Sequence, residues 1–345
     1  MFGLFRTLLA SMIAVGHFGG PFEIGIYAVF GFYVLSGFLM TAAMHQRYGY
    51  GGSGQVKFLI NRFLKLFPTY WIAILISIIC LLVFGENFTA FKSELFMPNT
   101  FEAWLRNISL ILARSFRPRL SPSTWQITVE LFYYLIICFG ISKYRRRSLV
   151  WLTVGLVYTI AAFLLEPTSW KPRFYPIFAA SFPFSIGACI YHFKGFFNQA
   201  LKAIKIKQPA VLFGLVCLNF LVFFELKKIA GVNLIFTVGF YLNLWLMILC
   251  IVALLANGFG FISRETDRFI GKFSYPIFLV HWQCGALINL VLPKNQGPDS
   301  IPLGGPLFLL LSIGLSILMS YLIVILIDDP VDKRRQAIKA SIRLA

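Results

Sequence analysis

Apolar runs of about 18 residues or more recur along the whole of this chain, each long enough to cross the roughly 30 Å hydrocarbon core of a bilayer as a helix. Of its 345 residues, 59% are hydrophobic and only 13% charged, and the mean hydropathy is +0.79. A soluble domain of this size has too much surface to be built from such a composition, so the solvent of this chain is lipid. It reads as an all-α, polytopic membrane protein of about ten transmembrane helices, with no soluble domain left over.

The apolar runs predict helices near 4–20, 24–44, 67–85, 125–141, 148–165, 174–192, 209–226, 234–256, 273–292 and 304–327. The first run starts almost directly after Arg6 and lacks a small-residue cleavage site, so it reads as the first helix and not as a removed signal. With the N-terminus inside, the inward segments carry Arg6, four basic residues from Arg47 to Lys65, four from Lys143 to Arg147, four from Lys194 to Lys207, three from Arg264 to Lys272 and five from Lys333 to Arg343. Together these are 21 of the 31 Lys and Arg. That asymmetry follows the positive-inside rule and predicts both termini in the cytoplasm. The net charge of +18 is then a matter of topology, and no nucleic-acid partner is expected.

The longest loop, Glu86 to Thr124, is expected to face outward. Within it Phe101 to Arg114 is weakly amphipathic, with Trp104, Leu105, Ile108 and Ile111 at helical spacing, and suits the membrane surface. Gly49 to Gly54 is a short inward turn. The chain divides into a transmembrane domain over 1–330 and a short basic cytoplasmic tail over 331–345. Cys80, Cys138, Cys189, Cys217, Cys250 and Cys284 all lie inside apolar runs, without a CxxC pair, and read as small core residues; no metal is expected. No internal repeat or inverted symmetry is visible.

Titratable groups within membrane helices cost several kcal/mol unless paired or wet, which makes each a functional candidate. His17 lies 11 residues after Arg6, about 16 Å further along a helix, which puts it in the outer half of the first span. An imidazole there suits a general base that takes a proton from a hydroxyl; a structural histidine bonded to a backbone carbonyl is the alternative. Glu130, on a helix that descends from outside, sits at a depth where it can meet His17 and orient its ring; its alternative is a carboxylate favoured by the helix dipole. His281, near the middle of the ninth helix, offers a second polar wall of the same cavity or a structural role. Arg62 and Lys65, at the inner start of the third helix ahead of Pro68, can bind the phosphates of an anionic cofactor, or simply set topology.

These stretches together resemble acyltransferase family 3, the membrane acyltransferases that modify bacterial surface polysaccharides and similar acceptors. The resemblance runs from the first helix to the ninth in five ordered elements. They are Arg6 and His17 with Ala10 between them, Val34-Leu35-Ser36-Gly37-Phe38-Leu39, Arg62 through Pro68-x-Tyr70-Trp71, Trp125 with Glu130, and Ser274-Tyr275 through His281. The resemblance implies a catalytic His17, a supporting Glu130, a family-characteristic Arg6, and an acyl donor such as acetyl-CoA arriving from the cytoplasm. Arg6, Arg62 and Lys65 are the expected donor-binding residues; Trp125, Ser36, Tyr275 and His281 are expected to line the substrate cavity. Lys65 stands where the family commonly has Arg, Gly31 and Tyr33 stand where Phe is frequent, and few residues precede Arg6. Ser36 lacks a Gly-x-Ser-x-Gly elbow and is assigned with Gly37 to close helix packing.

The expected function is an O-acyltransferase of the bacterial inner membrane. It moves an acetyl or other short acyl group from acyl-CoA to a hydroxyl of a surface polysaccharide or its lipid-linked precursor. The rivals are a proton-coupled transporter or permease, which buried His and Glu also suit, and a non-catalytic scaffold.

Overall fold

A chain this apolar has no water to satisfy its peptide groups, so it saves them in helices, where every bond is made locally. The computed structural model describes residues 1–89, 91, 94–110, 119–203, 208–231, 233–292 and 305–343, and among these it is helical throughout without a strand. The helices are α1 (Gly3–His17), α2 (Phe22–Ala43), α3 (Gly52–Phe84), the short α4 (Glu86–Thr89), α5 (Phe101–Ser109), α6 (Trp125–Cys138), α7 (Arg145–Leu165), α8 (Ser181–His192), α9 (Lys194–Ala203), α10 (Pro209–Ala230), α11 (Phe240–Asn257), α12 (Arg264–Val291), α13 (Pro306–Ile323) and α14 (Asp329–Arg343). Single π-helical turns extend α2 through Tyr48, precede α11 from Ile235, and join α13 to α14.

Six of these rods are long and apolar enough to span a membrane: α3, α7 and α10 alone, and α2, α11 and α13 with their adjoining π-helical turns; α1 and α8 are apolar but shorter. α6 and α12 cover the remaining expected segments as helices without meeting that measure. The lipid solvent shows in the outward side chains. α7 exposes Val150, Val154, Val157, Leu164 and Leu165, and α10 exposes Leu218, Leu221 and Val222, where a soluble helix would carry charge.

The chain forms two compact units. The first contains Met1–Phe2, Ile26–Phe58 and Phe132–Arg268. Here α2 and α8 touch backbone to backbone: a Cβ on Gly37 would stand 2.1 Å from the Phe184 carbonyl oxygen, and one on Gly187 2.1 Å from that of Val34. This is the small-residue packing expected at Gly37, and Ser36 is buried beside it. Tyr33, Phe184, Tyr133 and Trp151 stack in a row, with successive ring centroids 5.1, 4.4 and 5.9 Å apart.

The second unit contains Gly3–Gly25, Leu59–Leu131 and Phe269–Ala345. Its helices are tied by buried polar groups. Gln283 Nε2 of α12 donates to Ser77 Oγ of α3 at 2.7 Å and to the Ala73 carbonyl at 3.3 Å. The Tyr275 hydroxyl donates to the Leu66 carbonyl at 2.9 Å, close to Pro68 inside α3. α5 realises the amphipathic piece of the long loop. It is capped by Thr100, ends at Leu110 in the left-handed conformation, and exposes Phe101, Leu105 and Ile108. Asn107 on its inner face receives the Leu120 N–H at 3.0 Å, and the Asn107 carbonyl accepts from the Tyr70 hydroxyl. Residues 111–114 of that piece lie outside the described residues, as do the loop cations Lys205 and Lys207.

Candidate active site

Every candidate site residue except Ser36 falls in the second unit. His17 is the last residue of α1, half-buried, and His281 lies fully buried in the middle of α12. His17 Nδ1 is 2.8 Å from His281 Nε2, with the two ring planes parallel to within 4°. The other nitrogen of His281, Nδ1, is 3.2 Å from the Ile277 carbonyl. A carbonyl only accepts, so His281 Nδ1 carries the hydrogen and its Nε2 holds a lone pair. His17 Nδ1 must then be the donor, which leaves His17 Nε2 unprotonated. A backbone carbonyl thereby sets, through two rings, which nitrogen of His17 can act as a base.

An aromatic cluster surrounds the pair. Trp282 packs 4.8 Å from the His17 ring, Phe18 6.0 Å from His281, and Phe91 contacts both Trp282 and Phe308 at 6.3 and 6.0 Å. Gly285, one turn beyond His281, makes room for it, since a Cβ there would lie 2.7 Å from Phe91 and 2.9 Å from Phe18. The Trp282 indole N–H is buried and finds no hydrogen-bond acceptor among the described residues. Trp282, Phe18 and Phe91 are not legible as site residues in the sequence. The one signal there is that Trp282 and Phe18 each directly follow a candidate histidine.

Glu130 is half-buried on α6. The first turn of that helix carries no acid, so the dipole reading of Glu130 does not apply. α6 is docked onto α12 just before His281: Ser121 and Ser123 donate to the Leu279 and Phe278 carbonyls, both at 3.2 Å. Trp125, buried, opens the helix.

At the other end of the unit, Arg6 Nη2 reaches the Gly271 carbonyl at 3.5 Å and Arg62 Nη2 the buried Asn61 side chain at 2.8 Å. Lys65 Nζ pairs with Asp328 Oδ2 at 3.2 Å, and Thr69 donates to the same carboxylate. Lys272 pairs with Asp329 at 2.7 Å, and Arg335 with Asp332. Asp328, which the sequence places at the edge of the charged tail, is therefore a buried partner of a candidate donor-binding lysine.

Residues 2–325 match the family model of the acyltransferase domain. The chain belongs to acyltransferase family 3. No curated protein and no solved structure matches it. Membership makes this multi-pass membrane protein an acyltransferase and weighs against the permease reading. For an acyltransferase, the arrangement described supplies an oriented imidazole beside a dry aromatic wall, on the same unit as a cluster of cations.

Proposed function

We propose that this acyltransferase moves an acetyl or other short acyl group from acyl-CoA to a hydroxyl of a surface polysaccharide or its lipid-linked precursor in the bacterial inner membrane, with about ten crossings and both termini cytoplasmic. The observation that carries the chemistry is the hydrogen bond between His17 and His281. His17 Nε2 takes the proton of the acceptor hydroxyl as its oxygen attacks the thioester carbonyl. His281 Nε2 accepts from His17 Nδ1–H and stabilises the imidazolium that forms. When the C–S bond breaks, the imidazolium returns the proton to the departing CoA sulfur, so ester and thiol form with no net proton change. Glu130 supports the positive charge on the histidine pair.

Arg6, Arg62 and Lys65 would hold the anionic donor, Arg62 through its planar fork and Lys65 as a point charge. Trp125, Tyr275 and His281 would line the path of the substrates. The test is release of CoA thiol by purified protein in lipid nanodiscs supplied with acetyl-CoA and a glycan acceptor. His17→Ala should lower turnover by about 10²–10⁴-fold, the range for loss of a general base, with the protein still folded. Retained transfer in that variant would remove His17 from the mechanism.

A further inference from the structure

The first unit contains a cavity of about 770 Å³ far from anything the proposed reaction uses in sequence. α7 lines it with Leu156, Ile160 and Phe163, α11 with Leu244 and Trp245, and α9 with Phe196, and α8 contributes as well. Its size is that of a small-molecule site, and its walls are almost entirely hydrocarbon and aromatic. Exposed residues on or beside its walls, Val157, Leu164, Val238 and Trp245, are themselves apolar, as surfaces that meet lipid are.

Among the described residues, one charged side chain lines this cavity. Arg173, from the turn Lys171–Arg173 that follows α7, is only 4% exposed. Its guanidinium lies over the Phe163 ring at 5.0 Å, and its Nη2 reaches the Ser169 carbonyl at a long 3.4 Å. Nε and Nη1 are buried, and among the described residues neither has a hydrogen-bond partner and no carboxylate pairs with the guanidinium. Tyr241, which interacts with the guanidinium electrostatically and through its hydroxyl, shares the lining. A buried charge left in this state costs several kcal/mol. The unused N–H groups of a guanidinium are charge-assisted donors that match the oxygens of a phosphate.

The depth fits the same ligand. α7 has 21 residues, so it rises about 31 Å, close to the hydrocarbon thickness. Arg145, Arg146 and Arg147 stand at its start, and Arg173 follows its far end, at headgroup level on the opposite surface. Trp170 lies beside it, as interfacial tryptophans do.

We infer that this cavity binds a glycerophospholipid of the bilayer, with an acyl chain among the apolar walls and its phosphate on Arg173. The site is independent of the transfer chemistry, so its test does not depend on activity. Native mass spectrometry of the detergent-purified protein, titrated with phosphatidylglycerol, diacylglycerol of the same chains, or inorganic phosphate, reads it directly. Wild type should retain one phosphatidylglycerol and neither of the others. Arg173→Gln should weaken retention by about 10- to 100-fold, the worth of a charge-assisted hydrogen bond. Ile160→Trp, at a half-exposed position on the cavity wall, should do the same by filling the space with Arg173 intact, and it decides the matter should Arg173→Gln fail to fold. Equal retention by wild type and Ile160→Trp, equal retention of diacylglycerol, or an isoprenoid phosphate found in place of the phospholipid would each overturn the assignment.

Discussion

His281→Leu tests the histidine pair more sharply than removal of His17 itself. Leucine is close to histidine in volume and apolar, so the buried site keeps its packing against Phe18 and Phe278, and the Ile277 carbonyl keeps its helical partner. What disappears is the acceptor 2.8 Å from His17 Nδ1. That acceptor matters little while His17 is neutral and most when it becomes an imidazolium. A hydrogen bond to a charged group contributes about 1.5–3 kcal/mol, so kcat should fall by roughly 10- to 150-fold. KM for acetyl-CoA should stay within about twofold, because the bond strengthens in the transition state and not on binding. His281→Gln sets an amide oxygen near the lost nitrogen and should recover a large part of the rate. The assay is CoA thiol release in nanodiscs, with size-exclusion chromatography as the control for folding. A folded His281→Leu enzyme with wild-type kcat would refute the proton logic, as would a loss confined to KM.

Glu130→Gln keeps size and hydrogen bonding but removes charge; it should lower kcat by about tenfold or more, and an unchanged rate at saturating substrate would remove the carboxylate from the mechanism. Asp328→Asn deprives Lys65 of its counter-charge. Because the lysine side chain keeps 23% exposure against 6% for the aspartate, the stability cost should be about 1–3 kcal/mol, below that of a fully buried pair. The freed lysine should lower KM for acetyl-CoA, and a raised KM would argue against Lys65 as a donor ligand. Gly37→Ala drives a methyl into the Phe184 carbonyl and should destabilise by about 1–3 kcal/mol, read as a lower thermal midpoint of the solubilised protein; an unchanged midpoint would show that α2 and α8 are free to part.

Each expected apolar segment falls on a helix, because in lipid it is hydropathy that decides which stretches of chain can leave water. The ends are less legible. The expected helix at 67–85 is the latter part of α3, which begins at Gly52. Hydropathy falls where Arg62 and Lys65 begin, yet the helix continues, since Asn61 and Asp328 satisfy those cations from within the fold. Beyond Asp328 a π-helical turn carries α13 into α14, whose acids pair with Lys272 and Arg335. At the site, His17 stands out because imidazole is rare in an apolar run. Its contact with His281, 264 positions away in the chain, depends on how α1 meets α12, which no local pattern encodes. Trp282 and Phe91 resemble any other apolar residues until that meeting is known.

The Ile277 carbonyl gives the histidine pair an end. It can receive a hydrogen bond but has no hydrogen to hand on, so a proton that arrives at His17 finds no onward wire through His281 and must leave by the side it came from. Under the proposed mechanism, turnover at such a centre would be electrically silent: however fast the enzyme ran, it would not discharge the membrane that holds it.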